Sequence, residues 1–323
     1  MLIEDYLAYV SNVRRYSPRT RTIYADVLKD FARFIIGDSG REYTDSMLLE
    51  SLTPNIVRSY EVSLMGKNKD KDNDDPSTVN LHLSVLSGFC KYLLKNQKLS
   101  VNPVKLVKRP KKEKRLPVFY RQKSMDEYFT QTDFYANEDI ENVKSYRRRL
   151  ARAIVSILYC AGIRRAELIS LTVGSVDFSR NVMTVRGKGD KMREIPLVSS
   201  LSREISLYLQ ATELKLNSAR SLSDPLLVTE KGTKLYPVYV DRVIKNELGH
   251  IASITGRKSP HVLRHTLATE LLNNGADLNS IKELLGHSSL AATQVYTHNS
   301  IEKLKKVYNN AHPRAKSGGH HGD

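Results

Sequence analysis

The chain has 323 residues, 40% of them hydrophobic, and its 51 Lys and Arg stand against 35 Asp and Glu for a formal net charge of +16. That length exceeds one ordinary domain and suits two, each with its own core, and no segment approaches the roughly 20 consecutive apolar residues of a membrane span. So large a positive balance points first to nucleic acid as partner, although basic proteins of other kinds share it.

In the first hundred residues apolar positions recur at helical spacing in four blocks. Leu2, Tyr6, Leu7, Val10 and Val13 make the first. After SPRT the second uses Ile23, Tyr24, Val27, Leu28, Phe31, Phe34 and Ile35, a stripe wide enough to face a core, and it stops at Gly37. Thr53 before Pro54 reads as an N-cap with proline in the first turn, opening a third helix through Ile56, Val57, Tyr60 and Leu64 that the polar run GKNKDKDNDDPS ends. The fourth begins near Ser77 and carries Val79, Leu83, Leu86, Phe89, Cys90, Leu93 and Leu94. Residues 1–100 are therefore expected to form a small helical bundle.

The stretch 101–117, VNPVKLVKRPKKEKRLP, sets Lys105, Lys108, Arg109, Lys111, Lys112, Lys114 and Arg115 against the single acid Glu113. Pro103, Pro110 and Pro117 exclude a continuous helix, so it reads as an extended cationic linker. It suits a phosphate backbone, or is simply a solvated hinge. Beyond it, residues 118–312 are expected to form a second domain and 313–323 a disordered tail. Leu150, Ile154, Ile157 and Leu158 stripe a helix ending near Gly162, AGIRRAEL follows, and NVMTVR and MREIPL flank the turn GKGD as a β-hairpin. The fold class is thus mainly α with a small antiparallel β-sheet. Cys90 and Cys160 lie far apart in apolar helical settings and read as buried free thiols, in keeping with a reducing compartment. With acidic residues in MLIEDYLAYV where a leader would be basic, the expected setting is soluble and cytoplasmic.

The chemistry concentrates in SPHVLRHTLATELLNNGADLNSIKELLGHSSLAATQVYTH. Ser259 and Pro260 open a helix that puts His261 and Arg264 on one face, at an end whose free N–H groups favour an anion. A zinc site would need ligand spacing that HVLRH, with an arginine between its histidines, does not offer, so no metal is expected. Gly286 stops a further helix and places His287 just past its end, and Tyr296 follows. Together with Arg164 and the hairpin's Lys188, these side chains suit attack of a phenolic oxygen on a phosphodiester. Two guanidinium forks hold the charge on the non-bridging oxygens, a lysine protonates the 5′ leaving oxygen, and His261 helps take the phenolic proton. The bond energy survives in the ester, so no ATP or other cofactor is expected, and VRGKGDK lacks the phosphate-loop form.

At AGIRRAEL, VRGKGDKMREIPL, HVLRHTLATELLNNGADLNSIKELLGHSS and TQVYTH the chain resembles the tyrosine recombinase (phage integrase) family, within it the bacterial Xer recombinases. STVNLHLSVLSGFCKYLL extends the likeness to the last long helix of the family's core-binding domain. The resemblance implies an N-terminal core-binding bundle and a C-terminal catalytic domain of the DNA breaking-rejoining fold. It makes Arg164, Lys188, His261, Arg264 and His287 the catalytic set, Tyr296 the nucleophile, and Glu167 a brace for Arg164. It implies a homo- or hetero-tetramer clamping two duplex DNA sites, exchanging strands through a Holliday junction. The block IEKLKKVYNN, apolar at Ile301, Leu304, Val307 and Tyr308, would then dock on a neighbouring subunit. Arg165, Ala166 and Glu270 depart from the usual pattern, the last standing where Xer recombinases often have histidine. His265 is expected to serve helix packing. A type IB topoisomerase, or a DNA-binding regulator without catalysis, are the alternatives; the Xer-like run before His287 disfavours the first and the intact catalytic set the second.

Overall fold

The structure, a computed structural model, describes residues 1–37, 42–66, 76–111, 118–137, 143–187, 190–286 and 298–315. The chain forms two compact units, Met1–Arg115 and Leu116–Asp323.

The first unit is built from α1 (Leu2–Asn12), α2 (Pro18–Ile36), α3 (Asp45–Glu50), α4 (Pro54–Gly66) and α5 (Pro76–Lys95). Helix starts follow the local chemistry. The Ser17 hydroxyl accepts the Thr20 N–H at 3.2 Å with Pro18 in the first turn, and Thr53 accepts from the Ile56 N–H at 3.3 Å. α2 ends at Gly37, whose φ of +60° is one a glycine adopts without strain. The short α3, capped by Thr44, is an element the periodicity did not disclose. Leu28, Phe31, Leu48, Val57, Tyr60, Leu83, Phe89 and Cys90 fill one core, and both cysteines are free and buried.

Part of the segment expected to be an extended linker belongs to this core. Pro103–Leu106 is a 3-10 turn opened by Asn102, whose Oδ1 accepts the Val104 N–H at 3.1 Å while its Nδ2 donates to the Ser87 carbonyl and hydroxyl. Pro103, Val104 and Val107 are buried. Prolines forbid a continuous α-helix but not a 3-10 turn, and the valines at spacing three bring apolar area that the core removes from water. The chain then runs beside α5, with Asn80 donating to the Pro110 carbonyl at 3.1 Å and Arg109 to the Ser84 hydroxyl at 2.9 Å.

The second unit holds α6 (Gln122–Gln131), α7 (Phe134–Asn137), α8 (Val143–Ala161), α9 (Arg165–Ser170), α10 (Ser199–Leu216), α11 (Pro237–Glu247), α12 (Pro260–Asn273), α13 (Leu278–Leu285) and α14 (His298–Ala311). A three-stranded antiparallel sheet, β1 (Val176–Asp177), β2 (Val182–Arg186) and β3 (Met192–Pro196), stands in that order. Helix α8 is central, packed on α10, α11 and α12. Its buried Arg152 donates to Glu204, to the Phe129 carbonyl and to the Thr132 hydroxyl, so a charge within the core is fully paired. At the other side α14 lies on its own unit: Leu304, Tyr308 and Ala311 are buried, and the helix touches α12, α13 and β3. The Tyr308 hydroxyl and His312 Nε2 both meet the Cys160 carbonyl, one of the unpaired carbonyls ending α8. Since a carbonyl only accepts, His312 carries its proton on Nε2, and its Nδ1 accepts the Arg314 N–H at 3.1 Å. Among the described residues no helix is long and apolar enough to cross a membrane.

Candidate active site

Helix α8 stops at Ala161, and Gly162 with φ +60° turns the chain towards α9. This turn sets Arg164 one residue before α9, two-thirds covered. The Glu167 carboxylate accepts the Arg164 backbone N–H and its guanidinium, both at 2.8 Å. Neighbouring Arg165 pairs with Asp241 of α11.

Helix α12 starts as expected at Pro260, behind Ser259. Ser259 holds the cap position, yet its hydroxyl caps nothing and finds no hydrogen-bond partner among the described residues. From this helix His261 reaches the surface while Arg264 is buried. Arg264 donates to the Gly162 carbonyl at 2.6 Å and to the Leu285 carbonyl. The expected packing role of His265 is corrected, for its side chain is exposed.

Helix α13 is capped by Asp277 and closed by Gly286 at φ +64°, the stop that the glycine announced. The Gly286 N–H caps the Lys282 and Glu283 carbonyls, and the next three carbonyls each receive a guanidinium. Leu284 takes Arg193 Nε at 3.0 Å, Leu285 takes Arg264, and Gly286 takes Arg164 at 3.1 Å. The negative end of a helix and its orphan carbonyls together seat cations, which is how residues distant in sequence come to share one place.

The third of these arginines was not singled out from the sequence. Arg193 on β3 is buried and donates to both Glu167 oxygens, at 3.1 and 2.9 Å. A signal existed: Arg193 pairs with Val185 and Ile195 with Met183 across β2 and β3, so the strand's alternation turns Arg193 inward beside Ile195. An inward arginine requires an acid.

The charges act on one another. Burial alone would raise the Glu167 carboxyl, but hydrogen bonds and charge from Arg193, then Arg164, hold it below its ordinary range. Arg264 is pushed down to about 10 by burial and by Arg164, against the help of Glu167, and it keeps its charge at neutral pH. Partial enclosure, then the charges of His265, Arg165, Arg264 and Arg257, holds His261 below the usual imidazole value, so it is neutral near pH 7 and able to accept a proton.

The structure thus brings Arg164, Glu167 and Arg264 together, with His261 on the helix that carries Arg264. Lys188, His287 and Tyr296 lie outside the described residues, as do Lys112, Lys114 and Arg115. Lys105, Lys108, Arg109 and Lys111 are exposed on the first unit. Glu270 is buried and accepts the Tyr159 hydroxyl at 2.7 Å. Among the described residues no group of three or more His, Cys, Asp or Glu converges as metal ligands.

Residues 134–303 match the phage integrase family. A tyrosine recombinase XerC of Bacillus pumilus (strain SAFR-032) is 35% identical over 321 residues, 97% of either chain. One of Chlorobaculum parvum (strain DSM 263 / NCIMB 8327) is 32% identical over 329 residues, 97% of this chain and 94% of that one. Two solved structures share the fold. The XerH site-specific recombinase bound to palindromic difH substrate in a post-cleavage complex has a TM-score of 0.63 at 20% identity, covering 94% of this chain and 82% of that one. A lambda integrase dimer bound to a COC′ core site has a TM-score of 0.62 at 14% identity, covering 100% and 78%. With a family match over more than half its length and relatives of that identity along nearly all of it, the chain belongs to the phage integrase family and is a tyrosine site-specific recombinase similar to XerC.

Proposed function

We propose that the chain cuts and rejoins duplex DNA by transesterification, with Tyr296 as nucleophile. The phenolic oxygen attacks phosphorus, the bond to the 5′ oxygen breaks, and a 3′-phosphotyrosyl ester forms. Lys188 protonates the departing 5′ oxygen, and neutral His261 takes the phenolic proton. Arg164 and Arg264 hold the non-bridging oxygens, and His287 donates to one of them. A 5′ hydroxyl from a second strand then attacks the ester, returns the phenol and seals the DNA, with no cofactor. The carrying observation is that Arg164 and Arg264, distant in sequence, sit on the adjacent carbonyls of Gly286 and Leu285.

The first unit serves as the core-binding domain and the second as the catalytic domain. The cations Lys105, Lys108, Arg109 and Lys111, with Lys112, Lys114 and Arg115, follow the phosphate backbone. Four protomers, of this chain or with a sister recombinase, hold two recombination sites and exchange strands through a Holliday junction. The task is dimer resolution of chromosomes or plasmids, integration of a mobile element, or inversion of a DNA segment, in the cytoplasm. In that assembly α14, which rests on its own unit here, is released to dock on a neighbour. Relatives named tyrosine recombinase over nearly their whole length favour this reading over a type IB topoisomerase or a regulator without catalysis.

Covalent adducts trapped on genomic DNA and sequenced at the attached ends will identify the cleaved site. On a duplex of that site Tyr296→Phe is expected to bind as the wild type does and to form no adduct on denaturing gels; an adduct that persists would overturn the assignment.

A further inference from the structure

We propose that Arg193 is a positioning residue that fixes the hairpin at Gly187 and the end of α13 at Gly286, the residues preceding Lys188 and His287, relative to the Arg164–Glu167 pair. The inference rests on the roles proposed above for Lys188 and His287, and its own support is geometric.

One buried guanidinium reaches each of the parts that carry those roles. Its two terminal nitrogens grip Glu167, at 3.1 and 2.9 Å, the same carboxylate that holds Arg164. Its Nε holds the Leu284 carbonyl at 3.0 Å, at the end of α13. Against it stand two glycines, each directly preceding a proposed catalytic residue. A Cβ on Gly187, the residue before Lys188, would lie 3.3 Å from the guanidinium and 3.6 Å from Glu167 Oε1. A Cβ on Gly286, the residue before His287, would lie 3.1–3.2 Å from the same guanidinium. Both backbones therefore lie against Arg193, and a Cβ at either would make its neighbour give by a few tenths of an ångström.

The geometry also explains why an arginine is needed. A planar fork makes two parallel bonds to one carboxylate and still presents Nε to a third acceptor, which an ammonium on a flexible stem cannot do in one plane. Beyond the β2–β3 ladder, the described residues beside the turn have local contacts of their own. Gly187 N–H donates to the Lys191 carbonyl at 2.8 Å, and the Arg186–Asp190 ion pair is exposed at the surface. Arg193 stands opposite Val185 in the β2–β3 register, so it anchors the ladder just before the turn. Without it, Glu167 would retain Arg164, while the hairpin and the end of α13 would lose their common fastening.

A leaving-group test separates this role from simple folding. The probe is a duplex of the sequence recovered from the trapped adducts, made with either oxygen or sulfur at the bridging 5′ position of the cleaved phosphodiester. A thiolate departs without a proton, so a defect that lies in leaving-group protonation disappears on the sulfur duplex. Single-turnover cleavage is measured for Arg193→Gln, Arg193→Lys, Gly187→Ala, Lys188→Ala and Arg164→Ala, beside binding and thermal melting. Arg193→Gln is expected to cleave the oxygen duplex about a hundredfold more slowly than wild type, and to come within about tenfold of it on the sulfur duplex. Lys188→Ala should follow the same pattern, and Arg164→Ala should stay slow on both. Arg193→Lys should recover only part of the rate. Gly187→Ala, which pushes the hairpin by a few tenths of an ångström while keeping every charged group, should show a smaller defect that sulfur also relieves, and it stands in if Arg193→Gln does not fold. Equal losses on both duplexes for Arg193→Gln and Gly187→Ala would overturn the proposal, as would wild-type rates for both. Rescue of Arg193→Gln without rescue of Lys188→Ala would refute the lysine as acid while sustaining Arg193 as the holder of the hairpin group that replaces it.

Discussion

Glu270 shows how a single residue can set a pH response away from the chemistry. Burial pushes its carboxyl up to about 7; the Tyr159 hydroxyl opposes this and the charge of Asp126 adds to it. One oxygen accepts from Tyr159 at 2.7 Å and the other has no hydrogen-bond partner among the described residues. A carboxyl raised in the folded state keeps its proton there while the unfolded chain has lost it. Between roughly pH 4.5 and 7 folding therefore takes up a proton, and stability falls as pH rises through that window. Above it the full cost, on the order of 3 kcal/mol, applies. Glu270→Gln is expected to melt at a higher temperature than wild type at pH 8, with the two converging below pH 5; parallel curves across that range would refute the assignment. The sequence exposed Glu270 as a departure from the family's habit but not its burial, because nothing local marks a mid-helix glutamate as buried. Arg193 stayed unnoticed for a related reason: its partner Glu167 lies on another element.

Among the elements, those with long apolar stripes and distinct ends were legible. The helices α2, α5, α8 and α12 and the β2–β3 hairpin stand where periodicity, Pro and Gly put them. The six-residue α3 and the two-residue β1 were not, since so short a run holds less than one period of the pattern and depends on tertiary contacts. Turns with a positive φ carry the tightest constraints. At Gly162 a Cβ would lie 2.8 Å from Cδ2 of both Leu267 and Leu285, one on α12 and the other on α13, with φ at +60° besides. Gly162→Ala is therefore expected to destabilise the protein by about 2–4 kcal/mol, from backbone strain and overpacking together. It should also slow cleavage, because the Gly162 carbonyl seats Arg264. Differential scanning calorimetry and single-turnover cleavage check the two halves, and a variant that melts and cleaves like wild type would contradict the packing.

At the scale of the molecule, the two units have separate cores, and the first includes a stretch that composition alone assigned to a tether. Charge and prolines dominate the reading of residues 101–117, whereas the buried Val104 and Val107 are decided by contacts with distant helices. A fragment ending at Lys111 should unfold cooperatively, and one ending at Ser100 should be less stable by about 3 kcal/mol or more, from two valines and a proline returned to water. Urea titration of the two fragments measures the difference, and coincident midpoints would show the turn to be ornamental to that core. The arrangement at the end of α13 has a consequence for the whole fold. Three guanidinium groups occupy successive carbonyls there, and Glu167 bonds two of them, Arg164 and Arg193. Burial first, and then the charges of Arg164 and Arg193 against the help of Glu167, lowers the affinity of Arg264 for its proton. On the proposed function, the DNA phosphate that enters to react is also a counterion set beside these guanidinium groups, so binding and the electrostatics of the fold are linked.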